Sequence, residues 1–206
     1  MTRALYVGSW RIDLTVRDGV DSPISGAAVS RAIAAALTSA GATTPASIGL
    51  ILSDDAELAG LNADHLGVQG STDVLSFPLL APEAFPPHPG TAVRSQDRAS
   101  APAFPLPPGR RQHLGDIVIS VERAIEQAET GRGGQTGDVR WSAADEMRLL
   151  ATHGALHICG WDHAEPAEES AMRALETTLL TQSRSADRPP GRSQVGRGAR
   201  SRERRR

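Results

Sequence analysis

Lysine is absent from this chain of 206 residues, and all 22 basic residues are arginine. So complete a preference reads as a genomic base-composition bias and carries no weight as chemistry. Aromatic residues are scarce at 3%, so the core has to be aliphatic and rich in alanine. Cys159 is the single cysteine. That excludes an intramolecular disulfide and fits a reducing compartment. No segment reaches the ~18 apolar residues of a membrane span. The N-terminal stretch from Met1 to Trp10 lacks the apolar run of a signal peptide. The expected location is cytoplasmic.

The length suits one domain with a real core and some chain to spare. The formal charge of −2 hides an asymmetry. Residues 184–206 hold nine Arg against Asp187 and Glu203, a balance of +7 that leaves −9 for the rest. An acidic body with a basic end does not resemble a general DNA-coating protein, and no DNA partner is expected. The end from 184 has almost no apolar residues and is expected to be disordered. Such a tail can hold RNA phosphates or simply keep the chain soluble.

Arg11–Arg17 alternates polar and apolar residues, which predicts a strand. Ser25–Ala40 predicts a helix with Val29, Ile33 and Leu37 on one stripe and Gly41 after its end. Ser47–Leu52 reads as a buried strand. Ser53–Glu57 then offers a cap and first-turn acids for a helix fading around His65. Thr72–Phe77 and Leu114–Val121 read as an antiparallel pair of strands. Between them, residues 81–112 carry eight prolines. This is expected to be an unpacked, extended insertion. A helix over 122–130 and a Gly-rich loop at 131–137 follow. Ser142 and Asp145 form a capping box at the head of the next helix. A last helix carries Met172, Leu175, Leu179 and Leu180. With four strands and five or six helices in mixed order, the predicted class is α+β. The domain is expected to span 1–183.

The stretch from His153 to His163 organises the rest. His153 and His157 stand four apart, so a helix puts both imidazoles on one face. Gly160 can take positive φ, end that helix and let the chain bring His163 round. Three imidazoles without a fourth protein ligand hold a catalytic zinc and keep one position open. One Zn²⁺ per chain is expected. The same offsets occur in metzincin peptidases, H-E-x-x-H-x-x-G-x-x-H. Here Gly154 stands where the peptidase keeps its general-base Glu, which argues against peptide hydrolysis. Cys159 lies inside the motif, as a ligand, a nucleophile or, on the favoured reading, a small buried hydrophobe.

The motif H-G-x-L-H-x-x-G-[YW]-D-H resembles the signature of the YbeY endoribonucleases. Two upstream stretches agree: Leu61-Asn62 followed by Thr72–Pro78, and Leu114–Ser120. The resemblance covers roughly 46–180 and implies a small mixed sheet packed with helices around a central metal-bearing helix. It implies a zinc-dependent, single-strand-specific endoribonuclease of ribosomal RNA maturation, with the 16S 3′ end, ribosome quality control and the small ribosomal subunit as its setting. His153, His157 and His163 would be both metal ligands and catalytic residues. It also turns Thr72, Asp73 and Ser76 towards a cleft, where residues alone leave the wet side of an edge strand equally open. Asp73, Asp116 and Glu146 are candidate bases or supporting acids. Many members carry an aromatic and then an Arg after the Leu-Asn pair. This chain reads His65-Leu66, so a cation for RNA phosphate is missing there. Two rival readings stand: a zinc metallopeptidase-like hydrolase, and a non-catalytic ribosome-binding metal module.

Overall fold

A hairpin that the sequence pattern does not announce starts the chain. The computed structural model describes residues 2–90, 110–130 and 141–186. Strands β1 (Thr2–Val7) and β2 (Trp10–Val16) pair antiparallel across Gly8-Ser9, with Val7 opposite Trp10. Gly8 takes the positive φ, 57°, that so short a turn requires. Helix α1 (Gly26–Ser39) leads to β3 (Ala46–Ser53), and α2 (Asp55–Leu66) leads to β4 (Val74–Pro78). A 3₁₀ turn at Pro82–Ala84 precedes β5 (Gln112–Ser120), α3 (Val121–Thr130), α4 (Ala143–Ile158) and α5 (Pro166–Ala186).

The sheet order is β1-β2-β3-β5-β4. The two central pairings, β2 with β3 and β3 with β5, are parallel. The outer two are antiparallel, including the expected β4–β5 pair. The class is α+β as predicted, with five strands rather than four. The extra strand, β1, lies at an exposed edge, so no buried apolar face marks it in the sequence.

Local chemistry sets the helices as read. The Ser25 side chain accepts from the Ala28 amide, and Gly41 follows the end of α1 at φ 72°. Val29, Ile33 and Leu37 are fully buried beneath it. Each such side chain contributes about 1.5–3 kcal/mol relative to exposure. The Ser142–Asp145 capping box opens α4. That helix packs against α1, α3, α5, β4 and β5, and so is the central helix of the fold.

Close approach of α4 to the sheet depends on Gly154. A Cβ there would lie 2.8 Å from Ile117 Cγ2 and 3.1 Å from Ser76 Oγ. Glycine inside a helix costs about 1 kcal/mol against alanine. The packing of α4 onto β4 and β5 offsets that cost.

Two boundaries differ from the sequence reading. Helix α5 continues to Ala186, and Arg184 turns back to Asp145 at 3.4 Å and over the Trp141 ring. Residues 187–206 and the Gly-rich loop at 131–137 lie outside the described residues. The insertion was expected to be unpacked, yet its front packs: Phe85 is 7% exposed and belongs to the core. A count of prolines hides that one large apolar ring. Residues 91–109 are again outside the described part. Among the described residues no helix is long and apolar enough to cross a membrane.

Candidate metal centre

His153 and His157 occupy successive turns of α4, as their spacing requires. The helix ends in a Schellman motif. Gly160 N–H donates to His157 O at 3.0 Å, and Trp161 N–H donates to Leu156 O at 3.1 Å. Gly160 sits at φ 82°, which a side chain would strain. The reversed chain returns His163 to its partners. The three ring centroids lie 4.5, 5.0 and 5.4 Å apart. One nitrogen from each imidazole falls within 4.8 Å of the others.

The outer nitrogens decide the tautomers of two rings. His157 Nδ1 lies 2.8 Å from the Trp161 carbonyl, and His153 Nδ1 lies 2.7 Å from Glu176 Oε1. A carbonyl and a carboxylate only accept, so each Nδ1 is the protonated donor. The two Nε2 atoms face one another at 3.0 Å, and in neutral rings both carry bare lone pairs. Neutral rings so placed repel unless a proton or a metal cation stands between them. Tetrahedral zinc with Zn–N near 2.0–2.1 Å needs ligand nitrogens roughly 3.3 Å apart; the His153–His157 pair at 3.0 Å is close to that, and His163 brings a nitrogen within 4.8 Å of both. Burial, then the charges of His153 and His163, lower His157 from its ordinary value to about 4. It is therefore neutral at neutral pH, the form that binds metal.

A cavity of about 740 Å³ opens beside the histidines. Thr72, Asp73 and Ser76 line it, so the edge strand β4 also faces the cleft. Ser76 Oγ donates to Gly154 O at 3.2 Å. Asp73 is held on both sides: Oδ1 accepts from the Val74 amide at 2.9 Å and Oδ2 from Gln127 Nε2 at 3.1 Å. It also borders a smaller cavity of about 260 Å³ between His153, His163 and α5.

The other candidate acids are elsewhere. Asp116 lies over Gly49 and 3.3 Å from His113, outside the cavity lining. Glu146 is fully buried and accepts from Trp141 Nε1. Cys159 is fully buried, and burial pushes its thiol up to about 12, which suits neither a ligand nor a nucleophile. His65 stacks its edge on Phe77 and does not line the cavity, and no described arginine does either.

Glu176 escaped the sequence reading because it is 23 residues from His153 and is joined to it only by packing of α5 on α4. A ligand imidazole held by a carboxylate gains orientation and basicity. Glu176→Ala is expected to weaken zinc binding by about 10–100-fold in chelator competition. Unchanged affinity would remove Glu176 from the centre.

Fold and site together define a class: an α+β protein whose central helix and following turn bring together three imidazoles able to hold a metal, beside an open cleft. The family follows from comparison. The model for Endoribonuclease YbeY matches residues 17–184. Endoribonuclease YbeY of Salinispora tropica is 40% identical over 151 residues, covering 73% of this chain and 82% of its own. That of Roseiflexus sp. (strain RS-1) is 32% identical over 170 residues, covering 82% and 90%. The chain belongs to the YbeY endoribonuclease family, hydrolases that cut RNA internally.

Proposed function

We propose that this chain is a zinc-dependent, single-strand-specific endoribonuclease of ribosomal RNA maturation. Its setting would be the cytoplasm, with the 16S 3′ end and the small ribosomal subunit as targets and a part in ribosome quality control. The observation that carries the metal chemistry is the convergence of the three imidazoles on the wall of an open cleft. His153, His157 and His163 would hold one Zn²⁺. Three imidazoles suit a borderline-soft ion. When bound, zinc supplies a Lewis acid that stabilises negative charge and lowers the pKa of water.

The protein's own groups supply the rest. Asp73 is the one of the three candidate carboxylates that lines the cavity, and Gln127 fixes its rotamer. It can accept the proton of an attacking hydroxyl. Thr72 and Ser76 offer hydroxyls to the sugar–phosphate chain. His153 and His157 are recessed, so a phosphodiester must enter the cavity to reach them. A single strand can splay into such a cleft, and a stacked duplex cannot.

Zinc-loaded protein is expected to cut single-stranded RNA and to spare duplex RNA and casein. Asp73→Asn should keep its zinc and lose about 100-fold in kcat, the lower range for a general base. Cleavage of casein but not RNA would favour a peptidase. His65-Leu66, where many members carry an aromatic and then an Arg, favours one other reading, a ribosome-binding module without catalysis. Intact RNA together with binding to ribosomal particles would support it.

A further inference from the structure

We infer that residues 82–90, the front of the proline-rich insertion, are a working part of the metal centre, with His88 as a positioning residue for the loop that carries His163. The inference rests on the three-histidine metal reading above.

His153 and His157 are placed by helix geometry. His163 is not, because it lies beyond the helix end and is exposed. The two residues that lead to it, Trp161 and Asp162, are both held by the insertion. The His88 ring stacks on the Trp161 indole at 4.1 Å between centroids and 6° between planes. The Asp162 amide donates to Gly90 O at 2.9 Å. The arm also fits closely. A Cβ at Gly90 would stand 2.4 Å from Trp161 Cε3, and one at Gly160 would stand 2.9 Å from Pro82 Cβ. Phe85 anchors the arm in the core.

These contacts pass to the ligands. The Trp161 carbonyl that the arm holds in place accepts from His157 Nδ1. The Asp162 carboxylate accepts from the His163 amide at 2.8 Å. One segment therefore orients two imidazoles. It also forms a wall of the cleft through Pro82 and Glu83. A loop ligand held in advance binds metal more tightly, because its ordering cost is met before the ion arrives.

The test is zinc affinity by chelator competition on the full chain, in wild type and three variants. His88→Ala is expected to weaken binding about tenfold, as loss of an outer partner does. His88→Phe keeps a ring on Trp161 but loses the hydrogen bond of His88 to the Cys159 backbone, and should bind closer to wild type than His88→Ala. Gly90→Ala pushes the arm off the indole and should weaken binding about tenfold as well. If His88→Ala does not fold, Gly90→Ala decides. Wild-type affinity in His88→Ala and Gly90→Ala would overturn the role of the arm while the metal reading stands. Equal losses in His88→Ala and His88→Phe would overturn the stacking role. A wild-type chain that takes up no zinc overturns the metal reading, and with it this proposal.

Discussion

His157→Ala is expected to abolish zinc uptake and lower single-stranded RNA cleavage by roughly 100-fold or more. Loss of a partner behind a ligand already costs about 10–100-fold, and loss of the ligand exceeds it. Like His153, His157 is engaged at both nitrogens: its Nδ1 is tied to Trp161 O and its Nε2 faces His153. Elemental analysis of fresh protein and a cleavage assay read both effects. Full zinc content in the variant would show that the cluster is not the site. A second readout needs no metal. The folded His157 resists protonation down to about 4, whereas an unfolded histidine takes its proton near 6.5. The unfolded state therefore binds more protons between those values. Metal-free stability should fall as pH drops from about 6.5 towards 4, and be insensitive to this group above 6.5. The variant should lose that dependence.

Gly154→Glu is expected to fail as a fold rather than to create a peptidase. The new Cβ alone comes within 2.8 Å of the fully buried Ile117 and 3.1 Å of the half-buried Ser76. Overpacking costs about 1–3 kcal/mol. Burying the carboxylate adds several kcal/mol more. Together they take a large share of the 5–15 kcal/mol that holds a typical domain. A fall in melting temperature of about 10 °C or more, or insoluble protein, should result. Gly154→Ala should show a smaller loss of the same sign. Wild-type melting of the Glu variant would mean that α4 does not lie so close to β4 and β5. The glycine that marks a missing base in the sequence is, in the structure, the contact that seats the helix.

The metal motif was fully legible in the chain because its geometry is local. Helical rise brings residues four apart together, and a glycine after the last turn reverses the path. The cap at Ser142 and the stripe of Val29, Ile33 and Leu37 were legible for the same reason. The hairpin strand β1 was not, since an exposed edge needs no apolar pattern. The packed arm at 82–90 was not either, because its two rings find their partners far along the chain.

The sequence by itself determined that three histidines converge, that helices and strands alternate into an α+β fold, and that no peptidase base stands at 154. Only the tertiary structure decided which acids stand near the three histidines. Asp73 reaches the cavity, while Asp116 and Glu146 do not. Glu176 reaches His153, and His88 reaches Trp161, from distant segments. Periodicity tells which side of a strand or helix a residue occupies, but not what covers that side. That depends on the order β3-β5-β4 and on α4 and α5 packing together, which are long-range choices made by burial of the whole core.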